Sequence, residues 1–482
     1  MQALYIQDKY QPINRLTFNL GIRIEKEDLP SYNEFAPPIN FGWGDKIAPR
    51  LGFAYDIFGD GKTKIFGSYG QFRDRLKFNL PRGSFGGDLV IDDFFEIRSG
   101  ETFSQFTVDD ILGGRSQFSR NLRVPSNDPN ASIYGSGGKV DPDLKPFRQS
   151  EYTIGGERQI GNDYVFRLRY TLKNVDEVVE DAGVRNELDS EAYIIANPGK
   201  GLHLQTLQTF GYNKFATPQR RYDGLEFVFE KRLSNNWYFN ANYTLSRLYG
   251  NYSGLSSSDE INAPTGRLAP GTTRAFDLPF IGFTATGEPD NGRLETDRPH
   301  VFNIYGAYIF DWAGSKSNST EFSAFQTVTS GTPQTTRIFL VSTVTPAIFL
   351  KRGDLGRSPT YSQTDFNVTH RYKFGRDNRF TLVGDLSILN LLDQDTVTNV
   401  YVVKNLNSSV ISGGTNFPGL LFPVPRNASP FVNAYTSGSL LPIINAYLAG
   451  NATTLNLTDA RYGQPSTFQG SRTVRFGFRL LF

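Results

Sequence analysis

The chain contains no cysteine, a single methionine and only three histidines in 482 residues. Without cysteine there is no disulfide scaffold, no thiolate zinc site and no cysteine nucleophile. That suits an exported protein that needs no oxidative folding. Excess charge is also missing: 50 Lys+Arg stand against 48 Asp+Glu, a net charge of +2. Such a balance creates no field that would gather a nucleic acid. Long apolar runs are absent too. A membrane-crossing helix needs about 20 apolar residues, and the best stretch, 338–350, is interrupted by Thr, Ser and Pro346. The N-terminus, MQALYIQDKY, has neither an apolar core nor a small-residue cleavage site, so it is no signal peptide. Any membrane role therefore falls to strands. Aromatic residues, by contrast, are abundant: 40 Phe, 24 Tyr and 3 Trp, in a chain whose mean hydropathy is −0.38. Apolar rings in a polar average are what strict alternation produces.

Several segments alternate with period two, the mark of strands with unlike faces. At the C-terminus Val474, Phe476, Phe478, Leu480 and Phe482 share one face, and Thr473, Arg475, Gly477 and Arg479 the other. Over 164–172, Tyr164, Phe166, Leu168, Tyr170 and Leu172 alternate with Val165, Arg167, Arg169 and Thr171. Residues 15–24, 237–245 and 364–372 repeat the pattern, with His370 a blemish on the last apolar face. A soluble sandwich would bury the apolar face in a core. An outer-membrane barrel would turn it to lipid and let the polar face line the lumen. Connection lengths separate the two. Short turns at 11–14, 59–61, 160–163, 234–236, 312–317 and 375–377 close six hairpins, most of them rich in Gly, Asn or Asp. Between hairpins lie long polar segments: some 22 residues after Ile24, then 73–147, 174–221, 250–298, 331–362 and 393–470. They show no helical period. Short and long connections in strict alternation are the outer-membrane arrangement, and a sandwich rarely tolerates structureless insertions of this size.

Six hairpins and a final strand make about 13 strands of a transmembrane antiparallel β-barrel, with short periplasmic turns and long extracellular loops. The last strand then runs toward the periplasm, and so does residues 3–10. Two parallel edge strands cannot close an antiparallel barrel, and unpaired backbone groups in hydrocarbon cost several kcal/mol each. The expectation is that residues 1–482 are the C-terminal portion of a larger barrel and begin inside it. A further strand at 89–97 is the alternative that would change the parity.

The segments YIQDKYQPINRLTFNLGIRIE (5–25), IAPRLGFAYDIFGDGKTKIFGSYGQF (47–72) and VDPDLKPFRQSEYTIGGERQI (140–160) resemble the barrel of TonB-dependent outer-membrane receptors of the Oar-like subgroup. RRYDGLEFVFEKRL (220–233), DRPHVFNIYGAYIF (297–310) and LSILNLLDQ (386–394) continue the resemblance in the family's order. It implies an integral protein of the Gram-negative outer membrane, in contact with its lipid, whose barrel has about 22 strands. It further implies that some nine strands, a plug domain, a TonB-contacting segment and the signal peptide lie before Met1. The terminal TVRFGFRLLF is similar to the aromatic-ended signal read by the barrel assembly machinery, carried here by Phe476, Phe478, Leu480 and Phe482. The resemblance points to energised uptake of an unidentified substrate, with this chain supplying wall and loops and reaching the TonB complex through the missing N-terminal region. The other reading is a surface adhesion or assembly protein that uses the barrel as a loop platform without transport.

Catalytic and cofactor motifs are not evident, so neither an enzyme nor a bound cofactor is expected. Gly61-Lys62-Thr63 ends like a phosphate loop but sits in a hairpin turn and lacks the leading glycine. His203, His300 and His370 are scattered, which argues against a metal cluster. Asp109-Asp110 is read as a solvated loop face rather than an acid–base pair, and Asp141 and Asp143 around Pro142 as a turn. The sequons at Asn407 and Asn451 follow from the Asn/Ser-rich loops. Arg167, Arg169, Glu226, Glu230, Asp365, Arg371, Arg475 and Arg479 fall on polar strand faces as lumen-facing candidates. They pair with one another or with a plug, or else line a path for anionic or peptide-like substrates. Trp237, Tyr164, Tyr372 and Phe482, near strand ends, fit interfacial girdles.

Overall fold

The computed structural model describes residues 1–31, 37–76, 91–94, 118–121, 139–187, 190–254, 276, 280–315, 317–340, 346–405, 429–449 and 458–482. Thirteen strands form one antiparallel wall in chain order. They are β1 (Gln2–Ile13), β2 (Leu16–Leu29), β3 (Ile39–Asp56), β4 (Thr63–Phe72), β5 (Arg148–Ile160), β6 (Tyr164–Glu177) and β7 (Arg220–Ser234). The wall continues through β8 (Trp237–Gly250), β9 (His300–Asp311), β10 (Asn318–Thr329), β11 (Tyr361–Phe374), β12 (Phe380–Leu389) and β13 (Thr473–Leu481). Each strand pairs with its sequence neighbour, so connections alternate between tight turns and long excursions.

The register keeps the two faces separate across the wall. Leu20, Leu51, Tyr69 and Tyr152 follow one another on facing positions of β2 to β5, and Tyr170 and Leu225 do so on β6 and β7. The opposite face carries Asn19, Gly52, Ser68 and Thr153 at the neighbouring positions. A slip of one residue anywhere would exchange the faces, so the alternation that is visible in sequence also fixes the pairing. Phe476 and Phe478 are 73% and 80% exposed, as side chains meant for hydrocarbon rather than for a protein core must be.

The tight turns form as their residues demand. Asp56 accepts the N–H groups of Gly59 and Gly61 at 2.9 and 2.8 Å, which closes the Gly-Asp-Gly turn around Gly61-Lys62-Thr63. Asn235 and Asn236 both take positive φ at the β7–β8 turn, a conformation asparagine tolerates. Rings gather on the apolar face at this end of the wall. Tyr164 stacks on Phe229 at 5.9 Å, Trp237 on Phe239 at 5.8 Å and Tyr372 on Phe374 at 5.9 Å. Buried Lys231 lies 4.1 Å from the Trp237 ring centroid and donates to the Ser234 and Trp237 carbonyls. Its stem crosses apolar surface while its ammonium reaches the turn.

Three sequence expectations need correction. The 22-residue connection after Ile24 is mostly strand, because β2 runs on to Leu29 and β3 starts at Ile39. A bulge between Glu25 and Glu27 hides this by breaking the alternation. The long segments do contain helices: α1 (Gly201–Thr209), α2 (Ser429–Thr436) and α3 (Leu441–Ala449). Each spans only about two turns, and the buried positions, such as His203 and Leu207 on α1, are too few to mark a period in the sequence. The segment around 89–97 does contribute a strand, Ile91–Phe94, but it pairs with Phe118–Asn121 apart from the wall and leaves the parity unchanged.

β1 pairs only with β2, and β13 only with β12, among the described residues. The two edge strands run in the same direction, because an even number of antiparallel steps separates them.

Four cross-strand pairs among the described residues set a phenylalanine directly against a glycine: Phe53 opposite Gly67, Phe66 opposite Gly155, Phe239 opposite Gly306 and Phe478 opposite Gly384. A Cβ on Gly155 would stand 2.6 Å from the Leu168 carbonyl oxygen and 2.7 Å from the Phe66 ring. The ring lies across the backbone in the space the absent side chain leaves, which holds strand register. Gly155→Ala is expected to destabilise the folded wall by about 1–3 kcal/mol through overpacking. Gly477→Ala, whose new methyl meets nothing closer than 3.7 Å, should change little. Urea unfolding in detergent, followed by the gel mobility shift between heated and unheated samples, measures both.

Candidate functional site

The polar face of the wall carries its charges as cross-strand pairs. Arg167 stands opposite Glu157 on β5, and its Nε donates to Glu157 Oε2 at 2.7 Å. Lys64 reaches the other oxygen of Glu157 at 3.2 Å. Arg169 pairs with Glu226, directly opposite on β7. Arg371 meets Glu321 at 2.9 Å and Arg479 meets Asp385 at 3.2 Å. Asp365 accepts the Asn390 N–H and the Gln363 amide, both at 2.8 Å. Glu230 and Arg475 make no ion pair among the described residues. The partners Glu157, Glu321 and Asp385 were not singled out in sequence. Their signal is register, since each sits opposite its arginine or one diagonal step away. These pairs are half-exposed, so each adds only about 0–1 kcal/mol, and their main effect is to keep the face charged and ordered. Toward the β1 edge the face hollows into a recess of about 880 Å³ whose charged lining is Arg23, Arg50, Lys64, Arg167 and Arg169 with Glu151 and Glu157.

Beyond the wall the long connections fold together. One apolar core draws Leu207 and Tyr212 from the β6–β7 loop and Phe280 and Phe283 from the β8–β9 loop. Ile338, Leu340 and Phe349 join from the β10–β11 loop, and Phe431, Tyr435 and Ile444 from the β12–β13 loop. Tyr435 is fully buried at its centre, edge-on to Phe280 at 5.4 Å. Polar clamps bind the same loops. Asn405 exchanges hydrogen bonds with the Phe339 backbone at 2.8 and 2.9 Å. Asn433 does so across α1 and α2, with Asn213 N–H and the Gly211 carbonyl at 2.8 and 2.7 Å. Three ion pairs join the β8–β9 loop to the β10–β11 loop: Arg337–Glu295 at 2.5 Å, Arg352–Asp290 at 3.1 Å, and Arg357–Asp297. The outer loops from β6 to β13 are thus one packed cap rather than separate excursions.

The histidines serve as structural residues. His203 Nδ1 accepts the Gly199 N–H at 2.8 Å, which leaves Nε2 to donate to the Gly183 carbonyl at 2.9 Å. Burial lowers its pKa. His300 bonds Tyr243 and His370 bonds Thr320. Asp141 forms the turn expected of it: one oxygen accepts the Asp143 N–H at 2.9 Å and the other the Leu202 N–H at 2.8 Å in the first turn of α1. Among the described residues no group of three acidic or histidine side chains could hold a metal ion. Asp109, Asp110, Asn407 and Asn451 lie outside the described residues.

Glu180 is buried where the β6–β7 loop meets Tyr252 of the β8–β9 loop. Burial first, then neighbouring Asp181, hold its carboxyl well above the usual carboxylate range, against a hydrogen bond from Tyr252. The unfolded chain releases this proton at about pH 4.3 while the folded chain keeps it, so rising pH erodes stability. Glu180→Gln should therefore raise the unfolding temperature at neutral pH, with the gain vanishing below about pH 4. Glu295→Ala removes the carboxylate that pairs with the buried Arg337 guanidinium and should weaken the cap. Limited proteolysis should then cut the outer loops faster while the wall fragment stays intact. Replacing both partners by Leu and Met should restore most of the resistance.

Comparison with known proteins agrees with this geometry. The family described as outer membrane beta barrel domain matches residues 39–384. The TonB-dependent transporter Oar of Myxococcus xanthus is 27% identical over 99% of this chain and 42% of its own length. The chain thus spans less than half of that relative. Among solved structures, the outer membrane transporter YddB from Escherichia coli aligns with 83% of this chain and 42% of its own, at 12% identity and a TM-score of 0.45. The ferripyoverdine receptor of Pseudomonas aeruginosa covers 83% of this chain and 36% of its own, at 13% identity and a TM-score of 0.42. With a two-faced antiparallel wall, tight turns at one rim and a loop cap at the other, the chain belongs to the outer membrane β-barrel domain family and is an integral outer-membrane protein.

Proposed function

We propose that this chain is the wall and outer cap of a TonB-dependent transporter that takes up its substrate with energy from the TonB complex. The similarity to a TonB-dependent transporter along 99% of the chain carries this reading. The wall supports it in a second way. Two parallel edges can be joined in an all-antiparallel barrel only by an odd number of further strands, and nine would complete about 22. Those strands, a plug and a TonB-contacting segment belong, on this reading, to polypeptide outside residues 1–482. Glu230 and Arg475, without ion-pair partners on the polar face among the described residues, are then placed to meet a plug. The substrate would be caught by the cap and the plug apex. The barrel assembly machinery would read the exposed Phe476, Phe478, Leu480 and Phe482 series on β13.

A second reading keeps the barrel as a platform for adhesion or assembly. The single core shared by four loops favours it, because a cap built that way presents a fixed surface. Antibody against the 139–254 segment should detect, in native outer membranes, a species well above the 54.0 kDa of these residues. That species should crosslink to the periplasmic domain of TonB. A folded outer-membrane species of 54.0 kDa, or a larger one that never crosslinks to TonB while a known transporter in the same membranes does, would overturn transport.

A further inference from the structure

On the apolar face the alternation ends, toward the loops, in arginines. β7 reads Leu225, Asp223, Arg221 on this face, and β8 reads Leu245, Arg247, Tyr249, with Asp223 directly opposite Arg247. Arg221 grips Asp223 with two hydrogen bonds of 3.0 Å. Arg247 stacks on Tyr249 at 4.7 Å and has no carboxylate within ion-pair distance among the described residues. Both guanidiniums are exposed, and one aspartate leaves the pair with an unneutralised positive charge. The height of this pair is set by the strands. From Tyr164 at the tight turn to Asn174, the cross-strand neighbour of Arg221, is a rise of about 23 Å for a strand tilted ~45°. The apolar band of such a barrel is about 25 Å tall. Arg221 and Arg247 therefore stand where the outer headgroups begin.

Below them, across β2 to β6, the same face holds a groove of about 530 Å³. Leu51, Tyr69, Tyr152, Ile154, Tyr170 and Leu172 wall it, and Gly67 lies at its floor. Tyr69 and Tyr152 pack ring to ring at 4.9 Å. The groove and the arginines are joined by one contact, since the Tyr170 hydroxyl donates to Asp223 at 2.7 Å. An acyl chain gains little by leaving bulk hydrocarbon for an apolar groove, because the two environments are alike. Selectivity must come from the headgroup. Two guanidiniums fit phosphate, which they can bind through paired N–H donors.

We propose that this face holds a phosphorylated, multiply acylated lipid of the outer leaflet, its phosphate on Arg221 and Arg247 and an acyl chain in the Tyr69–Tyr170 groove. The site lies on the outside of the wall and is independent of what crosses the lumen. It would fix the barrel's depth and give the β6–β8 sector a lipid that travels with it.

The test uses the whole outer-membrane protein in nanodiscs of phosphatidylcholine doped with diphosphoryl lipid A or with its dephosphorylated counterpart. Native mass spectrometry counts the lipids retained. The wild type should keep the diphosphoryl form at least fivefold better than the dephosphorylated one. Arg221→Ala with Arg247→Ala should remove that preference, and Arg221→Lys with Arg247→Lys should keep most of it. Ile154→Trp, which fills the groove, should at least halve retention. An unchanged heat-dependent gel shift verifies that each variant is folded. Equal retention of both lipids by the wild type, or an undiminished preference in the folded double alanine variant, overturns the proposal.

Discussion

The backbone hydrogen bond is the constraint on which this molecule depends. In hydrocarbon an N–H or carbonyl without a partner costs several kcal/mol, so every residue of a membrane-crossing strand must be paired sideways. β2 to β12 meet the demand on both sides. Everything else in the wall follows from it. Register must be exact to the residue, glycines must accept phenylalanine rings across the strands, and Lys231 must reach back to the turn carbonyls. At β1 and β13 the demand is open on one side among the described residues, which makes the edges the part of the wall most in need of a neighbour.

The wall was legible in sequence because its rule is local and binary. Thirteen strands, six tight turns and the parallel sense of the edges all follow from alternation interrupted by Gly, Asn and Asp. The cap was not legible. Phe280, Phe349, Tyr435 and Leu207 come from four loops that are far apart in the chain, and no window of sequence contains two of them at a telling spacing. The helices α1 to α3 escaped because two turns are too short to be stable alone or to display a period, and neighbours from other loops hold them. The bulge at Glu25–Glu27 blurred the β2–β3 boundary by setting one strand out of step with the other.

The polar face stands between these cases. Its arginines could be placed by parity, yet their partners required the pairing of strands. Arg167 and Glu157, or Arg169 and Glu226, become neighbours only once β5, β6 and β7 are set side by side. Charges arranged this way leave the polar face ordered and nearly neutral, and Arg23, Lys64, Arg167 and Arg169 of the recess are each held by a glutamate. Buried Lys46, held by Glu27 at 2.7 Å and by the Asp74 carbonyl at 2.8 Å, ties the start of the β4–β5 connection to the same rim.

The shared core of the cap has a consequence for how such a surface can diverge. Where each loop stands alone, relatives can trade loops singly and acquire new surface chemistry piecemeal. Here the Phe339–Asn405 and Gly211–Asn433 clamps, together with Tyr435, make each loop half of its neighbour's interior. A graft of one loop would import a mismatched interior, so these four segments must be inherited as a block and diversify at their outermost tips alone.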